Sequence, residues 1–149
     1  MQRQDEQLTP NFTLFELTKT NNKDWKEKNR DLSDEQVGKI KTLAGFMELI
    51  RALLNAPVNV HSGYRCPGLN GATIGSSQTS QHPLCEACDF DAEGQTPEQS
   101  FDILSKYVPF LKIGQMILET RLGVPWIHIS MAGNRPIEKQ GQVFKIRTL

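Results

Sequence analysis

Three residues of this 149-residue chain combine a chemical type with a setting that suits metal binding. The chain has only three histidines. One, His82, follows a run of hydroxyl and amide side chains, Ser76-Ser77-Gln78-Thr79-Ser80-Gln81. Further on, Asp89 stands in an otherwise apolar strand pattern, where a carboxylate is costly to bury unless a positive group meets it. A second histidine, His128, lies in Trp126-Ile127-His128-Ile129-Ser130. Alternation there puts Trp126, His128 and Ser130 on one face and Ile127, Ile129 and Met131 on the other. Two imidazoles and a carboxylate suit zinc, and three protein ligands leave a fourth tetrahedral position for water. A cation held this way lowers the pKa of its water to about 7 and polarises a carbonyl. Taken singly, each residue also fits a structural histidine or a surface aspartate, and spacing alone leaves the triad open.

The elements that must position these residues can be read from capping and periodicity. Thr13-Leu14-Phe15-Glu16 and Ser33-Asp34-Glu35-Gln36 are capping boxes that open helices. After the second, Val37, Ile40, Leu43, Ala44, Met47, Ile50 and Leu54 recur at spacings of three and four, the core stripe of a long helix. Pro57 is expected to stop it. Thr18 to Asp31 reads as a solvated loop, and Cys66 to Ser80 as a working loop rich in Pro, Gly and Ser. The period then becomes two. Val58 to Ser62, Glu86 to Asp91, Gln115 to Glu119, Trp126 to Met131 and Gln142 to Arg147 read as strands. Between the second and third of these, Thr96-Pro97-Glu98-Gln99 starts a helix with Phe101, Leu104 and Val108 on its buried side. The expected class is α+β: N-terminal helices packed on a small, mostly antiparallel sheet, in a single domain over residues 1–149.

Composition narrows the function classes. Lys and Arg number 17 against 17 Asp and Glu, so the net charge is zero. A general nucleic-acid binder would carry a basic excess. No apolar run approaches the ~20 residues of a membrane span. The opening Met1-Gln2-Arg3-Gln4-Asp5-Glu6 is polar, unlike a secretory signal peptide. Three cysteines cannot all pair within one chain, and reduced thiols in a cytosol are expected. Cys85-Glu86-Ala87-Cys88 is a CxxC that could be a redox pair or half a zinc site. It has no second CxxC and no helix start after a strand, and Cys88 alternates away from Asp89, so a buried inert thiol is the favoured reading. Between Val60 and the following turn, His61 reads as a hydrogen-bonded structural residue.

Four segments in order resemble the zinc D-alanyl-D-alanine carboxypeptidase family: Ser62-Gly63-Tyr64-Arg65, Thr79-Ser80-Gln81-His82, Glu86-Ala87-Cys88-Asp89-Phe90 and Trp126-Ile127-His128-Ile129-Ser130. That family shares its fold with hedgehog signalling domains and includes phage and bacterial peptidoglycan hydrolases. Asn11-Phe12-Thr13-Leu14-Phe15-Glu16-Leu17 is similar to the start of its short, single-domain members. The resemblance implies zinc held by His82, Asp89 and His128. It gives Arg65 the task of binding a substrate carbonyl or carboxylate, for which a planar guanidinium fork suits better than lysine. It also implies an acidic general base. Some branches carry that acid three residues before the last histidine, a position taken here by Pro125. Short members end an upstream strand with it, which points to Glu119. Tyr64, Arg65, Ser80 and Trp126 are expected beside the substrate, with Ser80 and Trp126 acting as supports and not in the chemistry.

By the same resemblance the substrate is a D-amino-acid-containing stem or cross-link peptide of bacterial peptidoglycan, cut by carboxypeptidase or endopeptidase action. The implied setting is a phage endolysin made in the host cytoplasm and released to the wall, or a hydrolase carried on the phage particle. Family members usually have Gly where this chain has Cys85 and Ala where it has Cys88. A non-catalytic binding module that keeps the fold and the zinc is the competing reading. Arg65 and Glu119 argue against it, because a structural zinc site needs neither.

Overall fold

The computed structural model describes residues 4–149. Met1, Gln2 and Arg3, the first residues of the polar opening, lie outside the described residues. The chain divides into two compact units. One is built on the chain up to Glu48 and on Ser62–Cys88, the other on Leu49–His61 and Asp89–Leu149.

The first unit opens with a short antiparallel pair, β1 (Gln7–Thr9) and β2 (Phe12–Thr13), which leads into α1 (Leu14–Thr18). The expected capping box is present: the Glu16 N–H donates to Thr13 Oγ1 at 3.2 Å, and the Thr13 N–H donates to Glu16 Oε2 at 2.8 Å. Ser33 and Gln36 form the same reciprocal pair and open α2 (Asp34–Leu54). Ile40, Leu43, Ala44, Met47 and Ile50 are fully buried along it, as their spacing requires. The helix ends ahead of Pro57, where Asn55 turns left-handed at φ 50°.

Two loop expectations need correction. Thr18–Asp31 is not simply solvated: it contains a 3-10 turn at Lys28–Arg30, and Asn29 there is fully buried. The Asn29 Nδ2 donates to the carbonyls of Thr18 (2.7 Å) and Tyr64 (3.0 Å), while its Oδ1 accepts from the Cys66 N–H (2.7 Å). Cys66–Ser80 in turn contains a helix, α3 (Pro67–Ala72), with proline at its start. Gly68 in α3 lies under Trp25: a Cβ there would collide with the indole.

The strands β3 (Val58–Ser62), β4 (Ala87–Ala92), β5 (Ile113–Arg121), β6 (Val124–Met131) and β7 (Gln142–Thr148) form a five-stranded sheet in the order β3-β4-β6-β5-β7. β5 and β6 are antiparallel, and β7 runs parallel to β5. Leu122 (φ 48°) and Gly123 (φ 78°) make the two-residue turn between β5 and β6, and positive φ at both positions matches the twist of a hairpin. A register shift between Ile113 and Met116 leaves the Gln115 N–H bonded to Ser130 Oγ at 2.9 Å. The helix α4 (Pro97–Ser105) starts where expected, is closed by a capping box between Thr96 and Gln99, and buries Phe101 and Leu104. Val108 lies past its end in a separate 3-10 turn and is only half-buried.

Register sorts β5 and β6 into two faces. Met116, Leu118, Ile127 and Ile129 alternate onto one face and are all buried. Phe101 of α4 belongs on that side, because Lys145, the β7 partner of Leu118, lies 5.4 Å from its ring. The other face holds the pairs Ile117–His128, Glu119–Trp126 and Arg121–Val124. The class is α+β with a mostly antiparallel sheet, as expected. No helix among the described residues is long and apolar enough to cross a membrane.

Candidate metal centre

Asp89 and His128 sit on β4 and β6, neighbours in the sheet. The carboxylate Oδ1 of Asp89 lies 2.9 Å from His128 Nδ1, and their side chains are 13 % and 10 % exposed. A carboxylate this sheltered needs a cation or a donated proton opposite it, and the imidazole edge is where either would sit.

The position of His82 is fixed locally. Ser80 Oγ accepts the His82 N–H at 3.2 Å. His82–Leu84 forms a 3-10 turn closed by the Cys85 N–H on the His82 carbonyl. The side-chain amide of Gln81 holds Glu86 at 2.8 Å and so spans the base of the turn. His82 is 1 % exposed, and its Nδ1 lies 2.6 Å from the Gly63 carbonyl. A carbonyl only accepts, so Nδ1 carries the proton and the Nε2 lone pair becomes the metal-facing donor, the arrangement that fixes a histidine ligand. Gly63 can present that carbonyl because it has no side chain. A Cβ there would meet the Leu17 carbonyl oxygen at 2.5 Å.

Ligand atoms of His82, Asp89 and His128 all lie within 4.8 Å of one another. They are the one such group among the described residues. Tetrahedral ligation at ~2.0–2.1 Å would separate neighbouring donor atoms by ~3.3 Å. The Asp89–His128 spacing is already close to that. Two imidazoles and one carboxylate therefore fit a divalent cation in both chemistry and scale.

The sequence model of the Peptidase M15 family matches residues 10–130. The chain belongs to the M15 peptidase family. No curated protein matches it. M15 peptidases are zinc-dependent metallopeptidases, and the span matched in this M15 peptidase takes in His82, Asp89 and His128 together with Arg65 and Glu119.

The other expected site residues of this M15 peptidase fall as follows. Glu119 pairs with Trp126 on the face that carries His128, and His128 pairs with Ile117. Glu119 is thus the diagonal neighbour of His128, a separation of ~7–8 Å along an antiparallel pair. Both Glu119 and Trp126 are half-buried. The Nε of Arg65 donates to Asn70 Oδ1 at 3.1 Å. Ser80 holds the His82 backbone, as above. Tyr64 is a correction: it is 3 % exposed, and its hydroxyl accepts from Gln36 Nε2 at 3.0 Å. Its ring belongs to the core and presents no surface to a substrate. Burial also raises its hydroxyl above the ordinary tyrosine range.

His61 lies outside the metal group. It is about half exposed and pairs with Asp91 at 3.0 Å. Gly63, Asn29 and Asn70 were given no role by the sequence, yet Gly63 orients His82, Asn70 holds Arg65, and Asn29 clamps the backbone on both sides of Arg65. Only the glycine within Ser62-Gly63-Tyr64-Arg65 offered a signal. None of the three cysteines is in a disulfide. Cys88 is fully buried, and Cys85 is 2 % exposed in a left-handed conformation at φ 61°. That φ is the physical reason glycine suits position 85. Burial pushes the Cys85 thiol up to about 11.

Proposed function

We propose that this M15 peptidase hydrolyses an amide bond in the peptide of bacterial peptidoglycan, a D-amino-acid-containing stem or cross-link of the kind met by a phage-type wall hydrolase. The observation that carries the reading is the convergence of His82, Asp89 and His128 with an acid, Glu119, one diagonal step away on the same sheet face. A site that only held a structural ion would have no use for that acid.

Zinc, when held by His82, Asp89 and His128, supplies a Lewis acid that acidifies water and polarises the scissile carbonyl. The Glu119 carboxylate takes a proton from the attacking water and returns it to the leaving amine nitrogen. Arg65, steadied by Asn70, binds the carbonyl or terminal carboxylate oxygen and opposes the charge that builds there. Gly63 and Ser80 keep His82 in one orientation and one tautomer. Trp126 stands beside Glu119 and limits its access to bulk water.

The test is dye release from purified, dye-labelled peptidoglycan, with and without a chelator, followed by mass spectrometry of the fragments. Release that stops with chelator and returns with zinc, leaving fragments cut at an amide of the stem, is the expected result. An intact, zinc-loaded protein that binds the wall but releases neither dye nor a terminal amino acid would instead be a non-catalytic module.

A further inference from the structure

β7 lies beyond residue 130, where the family match ends. It is an edge strand, parallel to β5, and its register is fixed: Phe144 opposes Ile117 and Ile146 opposes Glu119. Residues opposed across a ladder share a face. Phe144 and Ile146 therefore stand on the face of His128, Glu119 and Trp126. Two cross-strand rows result, His128–Ile117–Phe144 and Trp126–Glu119–Ile146. Glu119 sits between an indole and an isoleucine.

Exposure along this face is graded. His128 and Ile117 are buried, at 8 % and 6 %, while Phe144 is 38 % and Ile146 44 % exposed. Single exposed apolar residues are ordinary. Here Trp126, Phe144 and Ile146 cluster around one carboxylate and lead away from the buried ligands. We propose that β7 adds a substrate shelf to this peptidase: Phe144 and Ile146 bind an aliphatic portion of the wall peptide next to the scissile amide. The proposal rests on the peptidase reading above. The occupant is the substrate and not a second protein because the shelf is continuous with the face that carries the acid and a metal ligand. A peptide positioned for Glu119 must cross one of its flanks, and on the β7 side that flank is Ile146.

The test compares Phe144→Ser/Ile146→Ser with Val143→Ser. Val143 is on the same strand, also apolar and similarly exposed at 39 %, but faces the other way. Each variant is assayed for zinc content, for co-sedimentation with insoluble peptidoglycan, and for kcat and KM on soluble wall peptides. The double variant should keep its zinc and its kcat while KM rises about tenfold and co-sedimentation weakens, as expected when partial burial of two apolar side chains is lost. Val143→Ser should match the parent in all three. An unchanged KM in the double variant, or an equal rise in Val143→Ser, overturns the shelf. If the double variant does not fold, the single Ile146→Ser decides by the same criteria. A zinc-loaded parent that cleaves no wall peptide contradicts the peptidase reading itself and removes the shelf with it. A cleaving parent with indifferent variants contradicts the shelf alone.

Discussion

The two faces of the β6–β5–β7 ladder share one backbone and serve opposite ends. On one, Met116, Leu118, Ile127 and Ile129 are closed off from water in an apolar layer with Phe101 on their side. On the other, neighbours displaced by a single residue are His128, Glu119 and Trp126. The period of two in a strand makes this possible: each chemical residue is bracketed by core residues that hold its backbone rigid. β4 repeats the pattern, with Cys88 and Phe90 fully buried on either side of Asp89. The general lesson is that substitutions on the two faces should fail in different currencies, chemistry on one and stability on the other.

The sharpest break of this contrast is Glu119→Gln. Removing the proton acceptor while keeping shape should lower hydrolysis roughly a hundredfold or more. Thermal stability should move by less than about 0.5 kcal/mol, as for a partly exposed site, and zinc content should not change. Met116→Ala should do the reverse. Met116 is fully buried on β5, and its truncation should cost about 2–5 kcal/mol in denaturant unfolding. The kcat of the folded fraction should stay at the parental value. Equal damage to chemistry and stability in either variant would mean that the faces are not separable.

The smallest effect concerns Cys85. Its folded thiol keeps its proton to about 11 against an ordinary 9.0. The folded state therefore binds the proton more tightly than the unfolded state. Any stability that follows is present below about pH 9 and is lost as the pH rises toward 11. At pH 7.5 a maleimide should label Cys66, which is partly exposed, and spare Cys85 and Cys88 until the protein is unfolded. Rapid labelling of all three in the native protein would revive a redox role for Cys85-Glu86-Ala87-Cys88.

Local signals were legible in the sequence and long-range ones were not. The boxes at Thr13 and Ser33 and the helix start at Thr96 formed because each rests on contacts between residues three apart. The α2 stripe and the five strands followed from periodicity. Asn29 lay in a polar stretch that reads as solvated, because its partners Thr18, Tyr64 and Cys66 are up to 37 residues away in the chain. α3 was missed although Pro67 marks its first turn, since Gly68 and Gly71 weaken any helical pattern. Within the site, residue type and strand alternation made His82, Asp89 and His128 candidates, and the family resemblance singled them out as a set. The Gly63 carbonyl that orients His82 is a backbone group, and backbone groups leave little trace in residue type. Tyr64 misled because its motif neighbour Arg65 is half-buried while Tyr64 itself turns inward.

If three side chains far apart in sequence hold one ion, the loss of any one of them must release it. Zinc stoichiometry by elemental analysis of the parent and of His82→Ala, Asp89→Ala and His128→Ala, each checked for folding by circular dichroism, tests this most directly. One zinc per parent chain and a loss of tight binding in all three variants is the predicted result; zinc retained at parental stoichiometry and affinity in any of them would contradict it.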